Sequence, residues 1–486
     1  MDKTGITFQD LLSKCKQSND FLSFQYEKPH SIFISYFKTL VNPDVVHRDI
    51  LAPIVNQPIE KLEDIKDLIP VEDVQITEDV EQIQYSLLTG YVMLQLEAEN
   101  PCCALVAATT VETRQVSIPE TEFSVVGPKE AFVESLDTNI NLVRRRLPIP
   151  ELYIQEYKIG KLSKTRVAIL HIEGIANKEN VNTMLQRIRD IEFDIISDIS
   201  FLTQILSDNH NSPFPQFVDT ERPDRVTSVL AEGKVAIIID GSPHALTGPT
   251  TLVEFFSAFE DYFLNWSLAS AIRLIRLFSV LFSVLATPLY VAILTFHYEM
   301  IPEDLMGALI ASRSGIPFPP FWETIILELV IELLREAGAR LPSKVGQTIG
   351  IVGGIVIGTA SVQAGITSNV LLIVVALAAL ASFTTPVYQM SNSIRLVRFP
   401  FLIMAQLYGV LGVTICFAFV MSHLLKLTSL GRPYVAPIYP LRVRDLKDSF
   451  IRLPFSQQAT RPSQLRTEQP VRFNKPRAKE KRDIED

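Results

Sequence analysis

A region from Leu274 to Leu425 constrains this chain most, because it holds apolar runs long enough to cross a bilayer. At 1.5 Å per residue, about twenty helical residues match a hydrocarbon core of about 30 Å. The first such run is 277–296. Arg273 and Arg276 precede it, and Glu299, Glu303 and Asp304 follow it. The positive-inside rule then places everything upstream in the cytoplasm. At the centre of the region lies a hinge, 346–365 (GQTIGIVGGIVIGTASVQAG), rich in glycine and free of charge. Small residues permit close helix–helix approach in lipid. The same uncharged surface suits the lining of a pore that closes by dewetting. On that reading Ile355, Thr359, Val362 and Gln363 are pore-lining or gate positions in an oligomer. Further apolar runs cover 370–385 and 399–425, the latter flanked by Arg395 and Arg398.

Between the first run and the hinge, PFPPFWETIILELVIELLREAGAR carries Glu323, Glu328, Glu332 and Glu336 on an otherwise apolar helix. Carboxylates at bilayer depth are costly and normally face protein or water. The segment therefore reads as an amphipathic helix lying on the interface, or as a broken or re-entrant helix with Glu323 and Glu328 facing an aqueous path. If it does not cross, there are four spans and the tail is inside, but Arg395 and Arg398 fall outside. If it crosses, there are five spans and the tail is outside. Four is the preferred reading.

The upstream half reads as two small α+β subdomains, 1–126 and 127–270. In the first, 1–70 is expected to be helical, with Ile32, Phe33, Ile34, Tyr36, Phe37, Leu40 and Val41 on one face and a second helical run at 45–55. VQITED, YVMLQLE and ALVAATT are β-branched or apolar runs between turns and read as strands. Gly127-Pro128 marks the boundary. A helix follows whose basic end is Arg144, Arg145 and Arg146. Three cations there favour the helix dipole. They read as a solvated helix end, or as a contact with lipid head groups or an acidic partner. Strands are expected at 152–158, 165–172 and 234–240, with a helix at 181–191. The long irregular segment NHNSPFPQFVDTERPDRV is expected to be functional or docked against something.

The membrane domain occupies 271–428, and a basic, disordered tail follows at 429–486. From Gly431 onward 13 Lys/Arg oppose 7 Asp/Glu, a net of +6, against a whole-chain net of −9. Basic segments beside a span are drawn to anionic lipid. The N-terminal MDKTGITFQDLLSKCKQ lacks the apolar core of a signal peptide. Cys15, Cys102, Cys103 and Cys416 show no CxxC spacing and read as free thiols in a reducing compartment. No GxxxxGK[ST], HExxH or GxSxG occurs, and the seven histidines are scattered. The expectation is no enzyme, no metal, no cofactor and no nucleic acid.

Several stretches together carry a specific resemblance: GPKEAFVESLDTNINLVRRRL, SPFPQFVDTERPD, EGKVAIIIDGSP, FEDYF, the run from PFPPFWETIILELV through GQTIGIVGGIVIGTASVQAGI, and ASFTTPVYQMSNSIRLVRFP. They resemble the A subunit of GerA-type spore germinant receptors over about 30–430. The resemblance implies a two-part cytoplasmic domain, an inner-membrane domain of the spore, and a complex with a transporter-like B subunit and a lipoprotein C subunit. It implies nutrient sensing, with this chain as transducer and as an oligomeric, germinant-gated ion conduit. The alternatives are a non-conducting scaffold or signalling subunit, and the related germination protein associated with the dipicolinate channel. A secondary transporter is a further possibility.

Overall fold

The computed structural model describes residues 7–26, 31–57, 59, 61–71, 73–97, 100–109, 119, 122, 126–340, 354, 356–443 and 445–473. Two five-stranded antiparallel sheets build the upstream half. The first has β1 (Phe21–Tyr26), β2 (Ile32–Phe37), β3 (Val74–Thr77), β4 (Tyr91–Gln95) and β5 (Cys103–Ala107), in the order β1-β2-β4-β5-β3. The second has β6 (Leu152–Ile159), β7 (Thr165–Ile172), β8 (Val218–Thr220), β9 (Val235–Ile239) and β10 (Ala245–Gly248), in the order β6-β7-β9-β10-β8.

At the centre of each sheet both faces are covered, so central strands such as β9 read as continuous apolar runs, while the edge strand β1 is largely exposed. On β9, Val235, Ile237 and Ile239 join the core under helices Lys178–Arg189 and Ile199–Leu206. Ala236 and Ile238 join the opposite core, under Leu136–Arg146 and Pro223–Glu232. That is the period-two alternation of a strand. Caps set the helix ends. Ser135 and Asn177 accept backbone N–H groups at two N-termini. Gly233, at φ +97°, ends Pro223–Glu232 in the left-handed region.

The helical expectation for 1–70 is corrected at Phe21–Tyr26 and Ile32–Phe37, which pair as antiparallel strands with Phe21 opposite Phe37. Ile32, Ile34 and Tyr36 fall on one core at a spacing of two. The helical run at 45–55 is present, with a π-helical turn at Val46–Leu51. The strands expected at 74–107 are present as β3, β4 and β5, and those expected at 152–172 and 234–240 as β6, β7 and β9.

Arg144 is also corrected. It is fully buried, so its side chain is no lipid contact. Its guanidinium donates to Asp20 at 2.8 Å through both Nε and Nη2, and to Ser18 Oγ at 3.1 Å. It also stacks over Phe37 at 4.4 Å. Asp20, Ser18 and Phe37 belong to the first subdomain, so the arginine pins the two together. The Asn19 N–H donates to the Ile154 carbonyl across the same junction at 2.9 Å. Arg146 pairs with Glu130, while Arg145 is exposed.

Two helices are long and apolar enough to cross a membrane, Trp266–Phe296 and Tyr388–Lys426. The base of the first is tied down, with Arg273 and Arg276 both bonded to Asp261. The second is two helices. Gly409 takes φ +61°, ψ −141°, a conformation open to glycine alone. The chain turns back there, against Phe296 and His297. Ser393 and His423 would lie about 45 Å apart along a straight helix. Instead they bond to consecutive residues, Pro213 and Ser212. The expected single run 399–425 is thus a helical hairpin with arms 388–408 and 410–426. The shorter helices Pro320–Arg340 and Asn369–Ser382 pack against the first long helix.

The tail expectation is corrected as well. Residues 429–443 and 445–473 are docked, with Arg432, Arg442, Arg452, Arg461 and Arg472 bonded within the chain, and 474–486 lie outside the described residues. Tyr434 is fully buried and donates to the Pro215 carbonyl at 2.7 Å. Arg432 reaches Glu179, Arg472 reaches Glu232, and Arg461 donates to the Ala231 carbonyl. Arg452, 2% exposed, donates to the Leu264 and Tyr262 carbonyls. Asp208 receives the backbone N–H groups of Leu430 and Gly431 at 3.1 and 2.9 Å.

Candidate functional site

The helical region holds a ladder of buried charge. Pro320–Arg340 places Glu323, Glu328 and Glu332 at successive levels, Glu323 toward Arg313 and Ser368, Glu328 toward Trp266–Phe296 and the first hairpin arm, and Glu332 toward that arm. Glu323, fully buried, accepts from Arg313 at 2.8 Å, from the Ser368 N–H at 2.6 Å and from Thr367 Oγ1 at 3.2 Å. Tyr290 shares a hydrogen bond with Ser368 at 3.3 Å. One level along, Glu328 pairs with Arg398 and accepts from Thr287 Oγ1 at 3.1 Å. Arg398 also donates to Ser283 Oγ at 3.2 Å. At the third level Glu332 pairs with Arg335 and lies 3.9 Å from Arg395, which donates to Ser391 Oγ at 3.1 Å.

Ser283, Thr287 and Tyr290 recur at four and three residues, one face of a helix. They supply the hydroxyls that the ladder needs on the first helix. A buried carboxylate or guanidinium is tolerated when paired and hydrogen-bonded. Removing one partner of such a pair costs about 3–5 kcal/mol. The ladder therefore fixes the packing of the acidic helix between its neighbours.

This corrects the aqueous-path reading of Glu323 and Glu328. Both are buried against protein, at 0% and 1% exposure. The interfacial reading of their helix is corrected too. Four of its residues, Glu323, Thr324, Leu327 and Glu328, are buried inside the bundle. Arg395 and Arg398 lie within the bundle as the partners of these acids. Arg395 and Arg398, three apart, meet Glu332 and Glu328, four apart, in an antiparallel pairing that the sequence does not show locally. Reading Arg395 and Arg398 as flanks of a span concealed it.

Ile355 lies outside the described residues. Thr359, Val362 and Gln363 lie on the helical stretch 356–363, apart from the ladder. That stretch is scarcely covered. Val356, Ile357, Thr359, Ala360 and Gln363 are exposed and Val362 is half-buried. Gly358 is buried, and a Cβ there would sit 3.6 Å from Leu372.

The irregular segment expected to dock does so. Ser212 bonds His423 at 2.9 Å, the Pro213 carbonyl accepts from Ser393, and Phe214 packs with Val387, Met390, Ile394 and Leu424. The loop thus grips both hairpin arms at their base. Among the described residues no group of three His, Cys, Asp or Glu is arranged to hold a metal.

The site thus lies in a helical region, with two helices long and apolar enough to cross a membrane, clamped onto an α+β region. Residues 9–464 match the family model described as Bacillus/Clostridium GerA spore germination protein, and the chain belongs to that family. It is 51% identical to the spore germination protein GerQA of Bacillus cereus, over 97% of this chain and 95% of that one. It is 46% identical to GerIA of the same organism, over 95% of this chain and 69% of that one. It is 36% identical to spore germination protein KA of Bacillus subtilis, over 91% and 82%. The crystal structure of the N-terminal domain of the A subunit of the Bacillus megaterium spore germinant receptor GerK3 aligns with a TM-score of 0.36 and 27% identity. It covers 49% of this chain and 91% of that one.

Proposed function

We propose that this chain is the A subunit of a nutrient germinant receptor and forms an oligomeric, germinant-gated ion conduit with its B and C subunits. It sits in the spore inner membrane with its α+β region in the cytoplasm. The observation that carries this reading is the helix 356–363. It bears no charge, and in a single copy it leaves most of its surface uncovered. Copies arranged about an axis would bury that surface and present small and hydroxyl residues to a narrow path, with Val362 as an apolar constriction.

The geometry supports an even number of crossings. The docked tail and the second subdomain lie together, at the base of both hairpin arms. The Gly409 turn and Phe296 lie together at the other end. Trp266–Phe296 runs outward, Pro320–Arg340 and Asn369–Ser382 run inward, and the hairpin runs out and back. These directions put the docked tail on the side of the second subdomain, in keeping with an even number of crossings.

Full-length chain in potassium-loaded liposomes, with and without the B and C subunits, tests the reading. Val362→Ala and Thr359→Ala are expected to change ion release and, in spores, germinant sensitivity. Unchanged release in both variants refutes the conduit. A non-conducting transducer is favoured by one observation, that the ladder's acids are spent on internal pairs. It predicts no flux from the assembled oligomer.

A further inference from the structure

A cavity of about 690 Å³ lies between the second subdomain and the base of the hairpin. That size falls within the range of small-molecule sites. Helix Ile199–Leu206 supplies Phe201, Gln204 and Ile205, the preceding segment supplies Phe193, and the docked loop supplies Phe214. Gln389, on the first hairpin arm, closes the wall.

The lining chemistry is selective. Among the described residues that line the cavity there is no Lys, Arg, Asp or Glu and the titratable side chain is His210, so an anion entering it would lose hydration without meeting a fixed positive charge. Phe193 and Phe201 are 54% and 49% exposed, an unusual state for phenyl rings beside a concave wall. Polar handles sit among them. Gln389 uses its amide nitrogen on Asp219 at 3.3 Å, which turns its amide oxygen into an acceptor for a guest. The wall is also connected to the bundle, because Phe214 belongs to the loop that grips Ser393 and His423.

We propose that this cavity binds a neutral, largely apolar small molecule bearing one or two hydrogen-bonding groups, against the loop that couples the α+β region to the hairpin. The proposal does not depend on whether the bundle conducts ions. Such an occupant comes from the cytoplasm or from the inner leaflet.

The test uses full-length chain in lipid nanodiscs, photolabelled with benzophenone and, separately, with its anionic analogue para-benzoylbenzoate. Labelled peptides are located by mass spectrometry. Benzophenone is expected to label 193–216 about tenfold more than the anion does. Gln204→Trp fills the cavity from an exposed position and is expected to abolish that labelling. A phosphatidylcholine with a diazirine on its acyl chain separates the sources. Labelling of the same peptides by it identifies a lipid chain as occupant, and labelling by benzophenone alone identifies a soluble guest. Equal labelling by the neutral and anionic probes overturns the proposal, as does no labelling of 193–216. Persistence of the label in folded Gln204→Trp overturns it too. The comparison of neutral and charged probes on the unaltered chain decides the matter if the variant fails to fold.

Discussion

Replacing Asp20 by alanine should loosen the two α+β subdomains from each other. The change leaves Arg144, fully buried, without its counter-charge. Two bonds at 2.8 Å are lost. So are the bonds that Asp20 accepts from Ser18 and Thr39. Hydrogen bonds to charged groups contribute about 1.5–3 kcal/mol each, and breaking one partner of a buried pair costs about 3–5 kcal/mol. For a unit of this size each kcal/mol lowers the melting temperature by about 2–4 °C, so a drop of about 6–20 °C is expected. Differential scanning of the full chain in nanodiscs measures it. Hydrogen exchange at the Asn19 amide, bonded to Ile154 across the junction, reports where the loosening occurs. The double change Asp20→Leu with Arg144→Met removes both charges and should cost less than the single change. A single variant that loses less than about 1 kcal/mol would refute the argument. So would Arg144→Gln weakening attachment to anionic vesicles with no loss of melting temperature, since that outcome returns the arginine to the lipid surface.

Arg398→Gln should strand Glu328 in the bundle at a cost of about 3–5 kcal/mol, and adding Glu328→Gln should restore part of it, read as the yield of protease-resistant protein. Gly409→Leu should break the hairpin turn. The left-handed backbone costs about 1–3 kcal/mol, and a Cβ there meets His297 at 2.9 Å. Cysteines placed at 393 and 423 should then no longer crosslink. His171 is 3% exposed, and burial pushes its pKa down to about 4. Glu173, 3.7 Å away, is partly exposed and screened. From about pH 6.5 down to about pH 4 the unfolded chain binds a proton that the folded chain refuses. Stability is therefore full above about pH 6.5, falls by about 3 kcal/mol through that window and levels below it, and His171→Gln should flatten the slope in denaturant titrations.

Where burial on both faces leaves an unbroken apolar run of strand length, the strands were readable. β7 and β9 show branched apolar residues bounded by turn signals, and the expected ranges match to within a residue. The strand pair Phe21–Tyr26 and Ile32–Phe37 was not readable in the same way, because Ile32, Phe33, Ile34, Tyr36 and Phe37 fill both faces of β2. Such a run satisfies helical and strand periods alike. The bundle's acids were legible as costly residues, but their partners were not. A pairing such as Glu328 with Arg398 is a tertiary fact with no local period. The reversal at Gly409 was hidden for a different reason. In an apolar run of this length one glycine is common, and nothing local distinguishes a tolerated glycine from one that turns the chain. The tail misled through its charge. Counting cations ignores how many are already bound to Glu179, Glu232 and backbone carbonyls.

The ladder also has a consequence in time. Arg313 is made ten residues before Glu323, so that pair is available as soon as the acidic helix emerges. Arg398 is made 70 residues after Glu328. At about 5–20 residues per second, the carboxylate waits roughly 4–14 s for its guanidinium. In the membrane arrangement proposed above, the acidic helix would carry during that interval an unmatched charge that hydrocarbon rejects. Pro320–Arg340 would therefore stay at the membrane surface or beside the insertion machinery until the first hairpin arm arrives. The acidic helix and the arm would then enter as a unit, and the order of synthesis becomes part of how this bundle assembles.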